Sequence, residues 1–206
     1  LYGRGATAGA INMVTAKPGK ELGGYLSVTA GNYGLAQFKG AIDVPMGDAL
    51  SMRLAGSLDS RDGYGNNIFT GSDINDRDAS AYRATFVYDA GGPLIATLSA
   101  QYYEEDDNNY AFSYFGQSEG SSIPVPFGVP ILGGNTVGMA GGGFYDINSD
   151  QEPINDRDGQ LINLTIDYAF NDRWSLKSIT SSQSMDRFLR DDLDSTDANL
   201  FGQNNY

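Results

Sequence analysis

Leu1-Tyr2-Gly3-Arg4-Gly5-Ala6-Thr7-Ala8-Gly9-Ala10-Ile11-Asn12-Met13-Val14-Thr15-Ala16-Lys17-Pro18 opens the chain, and its reading decides the fold. A glycine- and alanine-rich segment runs into a short apolar strand, Ile11 to Val14, and stops at Pro18. Residues this small let backbones approach closely or take positive φ. Arg4 is the one long charged side chain among them, and a charge set in a packed segment needs a partner.

From Gly23 onward, apolar and polar residues alternate in segments of about ten, the period of a strand with two unlike faces. Leu26, Val28 and Ala30 oppose Ser27 and Thr29. Phe38, Ile42 and Val44 oppose Gln37, Lys39 and Asp43. Leu50, Met52, Leu54 and Leu58 oppose Ser51, Arg53, Ser57 and Asp59. Tyr82, Phe86 and Tyr88 follow, then Leu94, Leu98 and Tyr102. Ile162, Leu164, Ile166, Tyr168 and Phe170 against Asn163, Thr165 and Asp167 is the clearest case. A seventh segment, Trp174 to about Gln183, alternates more weakly.

The connections alternate in length. Short turns are expected at residues 45–48, 89–93 and 171–172, and long polar loops at Arg61–Arg77 and Asp106–Asp158; the first connection, Gly31 to Gly34, is short. Short turns on one side with long loops on the other is the pattern of an outer-membrane barrel, whose strands need about 9–11 tilted residues to cross. A soluble β-sandwich alternates in the same way. A 53-residue loop is too long for a compact sandwich. Tyr25, Tyr88, Tyr102, Tyr103, Tyr168, Phe170 and Trp174 fall near strand ends, where a bilayer interface places aromatics.

The composition narrows the chemistry. Thirteen basic against 26 acidic residues give a net charge of −13, which phosphate backbones repel, so nucleic acid is not an expected partner. Cysteine and histidine are absent, which removes thiolate chemistry and the commonest general base. Gly116-Gln117-Ser118-Glu119-Gly120 has the form of a nucleophile elbow, but that chemistry needs a histidine base. No enzymatic activity, cofactor or metal is expected. Gly3-Arg4-Gly5-Ala6-Thr7-Ala8 fits a dinucleotide fingerprint, yet an apolar strand and a proline follow where a helix should hold the pyrophosphate. Asp146, Asn148 and Asp150 carry calcium-loop spacing, but Gln151 and Arg157 stand at the sixth and twelfth places where an EF-hand requires Gly and Glu. Looser calcium binding on that loop stays open.

Two further features concern the loops. Ile74-Asn75-Asp76-Arg77-Asp78 recurs as Ile154-Asn155-Asp156-Arg157-Asp158, each ahead of a strand returning from a long loop; the plain reading is two similar rim turns with Asp–Arg pairing. Tyr110, Phe112, Tyr114, Phe115, Phe144 and Tyr145 lie in the longest loop. They are the candidate ligand-binding residues, and the alternative is that they form the loop's own small core.

The opening run, with its Leu-Tyr-Gly-Arg, small residues, Gly9-Ala10-Ile11-Asn12 and Thr15, resembles the end of the plug domain in TonB-dependent outer-membrane receptors. The resemblance implies an all-β fold: a transmembrane antiparallel β-barrel, partial here at about seven strands, preceded by the last plug strand. The family barrel has about 22 strands. Residues 1–18 are then the end of the plug, 19–24 a linker, and 25–206 the first barrel strands with their outer loops. A chain starting at Leu1 without an export signal is expected to be an internal fragment. The implied function is active uptake, in the bacterial outer membrane, of a scarce nutrient such as a ferric siderophore. The implied partners are TonB, outer-membrane lipid and the extracellular ligand. Arg4 would be the plug–barrel contact, pairing with a carboxylate on the barrel wall. The alternatives are a plug-less passive pore or adhesin barrel, and a soluble β-sandwich binding module.

Overall fold

The structure, a computed structural model, describes residues 14–109, 112–113, 137–138, 140–192, 195–199 and 202–205. The described residues hold only strands and irregular chain. The strands are β1 (Gly23–Ala30), β2 (Ala36–Pro45), β3 (Leu50–Arg61), β4 (Gly65–Asn66), β5 (Asp73–Ile74), β6 (Arg77–Asp89), β7 (Leu94–Asp107), β8 (Ile154–Asn171), β9 (Trp174–Asp192) and β10 (Gly202–Asn205). One antiparallel sheet runs β1-β2-β3-β6-β7-β8-β9-β10, and β4 pairs with β5 inside the first long loop. The seven segments seen in the sequence are the seven long strands.

Their turns are built from local chemistry. Gly47 and Gly91 take positive φ, at 86° and 73°, in the connections β2–β3 and β6–β7. The Asp89 side chain accepts a hydrogen bond from Gly91 N at 3.0 Å, an Asx turn. Asn171 does the same for Arg173 N and Trp174 N, at 3.0 and 3.1 Å. In the β1–β2 connection Tyr33 is left-handed, with φ 58°.

Register aligns like with like across the sheet. Leu54, Ala84, Ala100 and Ile162 lie in one row, and Phe86, Leu98 and Leu164 in another. These rows form an apolar face, and among the described residues no second sheet covers it. Leu26 is 76% exposed and Ile162 48%, whereas Thr85 on the opposite, polar face is 4% exposed. A water-soluble sandwich requires a facing sheet over its apolar side; the described residues have one large sheet and a two-residue pair.

Boundaries differ from expectation in three places. β1 starts at Gly23, inside the span expected as a linker. β8 starts at Ile154, so Asp156, Arg157 and Asp158 belong to a strand and not to the loop. β9 continues past Gln183 to Asp192. Its apolar-face positions Ser178, Thr180, Ser182 and Ser184 blunt the hydrophobic contrast on which strand recognition depends. The expected strand Ile11–Val14 lies outside the described residues except for Val14, which is in irregular chain.

Candidate functional site

The polar face carries a ladder of cross-strand pairs. Asp43 on β2 and Arg53 on β3 are direct partners, and the guanidinium meets both carboxylate oxygens at 2.8 and 2.7 Å. The same guanidinium lies 6.0 Å from the centre of the Tyr25 ring. Arg83 on β6 donates to Gln101 on β7, its Nε at 3.0 Å. Lys177 on β9 pairs with Asp167 on β8 at 3.1 Å. Opposite charges set directly across a sheet stabilise their strand pair. Val14, Thr15, Ala16 and Lys17 face this side, and a cavity of about 490 Å³ separates them from a wall that includes Arg83, Ser99, Gln101, Asn163 and Lys177.

At the upper end of the long strands the ladder closes in a charge cluster. Glu105 on β7 binds Arg77 from β6 and Arg157 from β8. Arg77 also approaches Asp59 at 3.8 Å and Asp107 at 3.7 Å. Asp107 accepts from Asn155 at 3.1 Å and from Asn109 at 2.8 Å. The Ile-Asn-Asp-Arg-Asp repeat is thereby explained: the copies flank β7, and their arginines share one carboxylate.

Above the cluster the two long loops are bound into one cap. Asn67 is fully buried. Its amide donates to Ser149 O at 2.9 Å and accepts from Ser149 N at 3.1 Å and Phe69 N at 3.2 Å. Ile68 N bonds Ile147 O, and Ile147 N bonds Asn66 O, both at 2.9 Å. Ile74, Val137 and Ile147 are buried beside this seam. Among the described residues the buried apolar side chains of the cap are aliphatic, and Phe112, Phe144 and Tyr145 are exposed.

Phe144 is 78% exposed, Tyr145 59% and Phe112 53%. Tyr110, Tyr114 and Phe115 lie outside the described residues, as does Arg4. Phe144 and Tyr145 meet edge to face at 5.2 Å, Tyr145 meets Tyr64 at 5.3 Å, and Tyr64 meets Tyr33 at 5.9 Å. These spacings are those of favourable aromatic pairs. The Arg61 guanidinium sits 4.9 Å from the Tyr64 ring centre, within cation–π range, and donates to Asn75 O at 2.7 Å. Gly65 makes the approach feasible, since a Cβ there would lie 2.0 Å from Tyr145 O. Phe144 and Tyr145 are thus joined by Tyr33, Tyr64 and Arg61, three residues that sequence reasoning did not single out. The available signal was that Tyr33 and Tyr64 are bulky aromatics stranded in polar connections.

The calcium-like spacing builds turns. Asp146 accepts from Gly143 N at 2.7 Å and Asn66 N at 2.9 Å. These backbone donors, Gly143 first, hold its carboxyl below the usual range. Among the described residues no group of three or more acidic side chains is arranged to hold a metal ion. Gly116–Gly120 falls outside them.

A one-sheet wall, polar on one side and apolar on the other, with short turns at one end and a loop cap at the other, has the architecture of a β-barrel segment. The ferric-catecholate import receptor Fiu of E. coli K12, in its closed form, has a similar structure, with a TM-score of 0.68 over 92% of this chain at 16% identity. This chain covers 25% of that receptor. No family model matches the sequence.

Proposed function

We propose that the chain is the wall and outer-loop portion of a TonB-dependent receptor in the bacterial outer membrane, which takes up a scarce nutrient such as a ferric siderophore. The observation that carries this reading is the inversion of the sheet, with bare leucines and isoleucines on one side and paired charges on the other. In water the exposed apolar face would be an aggregation surface; in a bilayer it meets its solvent. The likeness to the ferric-catecholate receptor supports the class of cargo. In this reading about 9–11 residues above each short turn cross the membrane. The charge cluster and the loop cap then stand outside, and the string Tyr33–Tyr64–Tyr145–Phe144 faces the medium where a ligand arrives. Residues 1–18 close the lumen as the end of a plug, and Arg4 anchors it to a carboxylate of the wall. TonB supplies the energy through that plug.

The test is uptake of radio-iron, supplied as a ferric catecholate, by cells with and without the full-length protein. Saturable uptake that a protonophore abolishes is expected. Uptake unaffected by the protonophore would favour a passive pore. Loss of the protein from the outer-membrane fraction would reject the reading altogether.

A further inference from the structure

The polar face ends in a cluster whose composition is unusual for the position it holds. Glu105 and Asp107 are neighbours on the same face of β7 and are 4% and 1% exposed. Around them stand Asp59 of β3, Arg77 of β6, and Asn155 and Arg157 of β8. Arg187 of β9 donates to Asn155 at 3.3 Å, and Asp76 accepts from Asn108 N just beyond. Glu105 takes both close arginines. Asp107 accepts from the side-chain amides of Asn155 and Asn109 and from the Asn109 backbone N–H, while the Arg77 guanidinium, at 3.7 Å, is beyond hydrogen-bonding reach. Three carboxylates thus lie within 4 Å of two arginines, and Asp107, the most buried of the three, has neither of them within hydrogen-bonding reach.

The cluster also sits at the root of both loops. β7 passes from Asp107 straight into Asn108, whose carbonyl accepts from Asn75 N at 3.1 Å. Asn75 belongs to the other loop and is held at φ 63°. What happens at Asp107 therefore bears on the clamp between residues 75 and 108.

We infer that Asp107, set beside Glu105, is a proton-operated fastening for the outer cap: in mildly acidic medium it takes up one proton from solvent, and the roots of both loops tighten. With the proton gone, two buried anions sit side by side and the 75–108 clamp loosens. With it bound, Asp107 is neutral and can donate to Glu105, which keeps its two arginines. Burial is the main force that pushes the Asp107 carboxyl up to about 6, opposed by the Asn155 hydrogen bond and assisted by Glu105. For an acid raised on folding, the folded form binds the proton first. Order at the cap root is therefore gained as pH falls through about 6 and is complete near the ordinary carboxylate value. That this proton comes from the external medium rests on the orientation proposed above; the fastening itself does not.

The experiment is hydrogen exchange at the amides of Asn75 and Asn108 in the full-length protein in detergent, corrected for intrinsic rates, at about pH 5 and about pH 7.5. Protection in the wild type is expected to rise about tenfold on acidification. Asp107→Asn, which fixes the neutral state, should be protected at both pH values. A wild type with equal protection at both would overturn the fastening, whether or not the variant folds. So would Asp107→Asn if it kept the wild-type pH dependence. Neither outcome touches the uptake reading, which is judged on cells.

Discussion

Arg77 and Arg157 reach the same carboxylate, Glu105, from opposite sides of β7. They occupy equivalent places in the two copies of Ile-Asn-Asp-Arg-Asp, and strand order brings the copies to either flank of one acidic residue. Three strands are thereby tied at the level where they leave the regular sheet.

Glu105→Ala should cost about 2 kcal/mol: both guanidinium groups lose their hydrogen-bonded carboxylate, but each is over a third exposed to solvent and Arg77 keeps Asp59 and Asp107 within 4 Å. Arg77→Gln or Arg157→Gln alone should each cost about 1 kcal/mol, since the remaining arginine still satisfies Glu105. The double arginine variant should cost more than the sum of the singles. Urea titration of the folded full-length protein in vesicles reads all four; strict additivity of the arginines would mean that they act separately.

Strand existence was legible because of period-two alternation, plainest at Ile162–Phe170 and weakest in β9, where serines and a threonine hold the apolar-face positions. Strand ends were hidden where that contrast fails. Asn155, Asp156, Arg157 and Asp158 resemble a polar loop, yet they alternate between faces, with Arg157 on the polar face beside Glu105 and Asp158 opposite Glu104. Phe112, Phe144 and Tyr145, three of the six loop aromatics named as ligand-binding candidates, are described and are exposed. Their neighbours could not be picked out, because Tyr33 and Tyr64 come from other connections and only the fold places them beside Tyr145. The repeat was visible in the sequence; its shared partner was not.

The seam of the cap turns on Asn67. Asn67→Ala removes two buried hydrogen bonds and one partly buried one and leaves the Ser149 backbone unpaired, a local loss of about 2–3 kcal/mol. Residues 140–153 should become susceptible to limited proteolysis on intact cells, while the thermal midpoint of the sheet stays unchanged. A variant cap that resists protease as well as the wild type would show that the aliphatic core of Ile74, Val137 and Ile147 holds the loops without it.

Orientation has a direct reading. Thr70 lies in the cap and Asp48 in the short β2–β3 turn, and both are exposed. With Thr70→Cys, an impermeant maleimide should label whole cells carrying the full-length protein; with Asp48→Cys it should label only after lysis. Labelling of Asp48→Cys alone on whole cells would invert the topology.

The faces of the sheet can be tested on two consecutive residues of β8. Leu164 stands in the apolar row with Leu98 and is 37% exposed, while Thr165 points to the polar side, where it borders the cavity beneath Val14–Lys17 and its hydroxyl donates to Asn163 at 3.2 Å. An arginine at Leu164 has no carboxylate to meet and would have to carry its charge into hydrocarbon, at about 2–4 kcal/mol near the midplane. An arginine at Thr165 enters a cavity already lined by Arg83 and Lys177, so its cost is crowding and like-charge repulsion, about 1 kcal/mol. Refolding titrations into vesicles should therefore rank Leu164→Arg as the worse change. If the order is reversed, the apolar row faces the interior and the lipid-facing assignment of the whole sheet fails with it, because register couples Leu164 to every neighbouring strand.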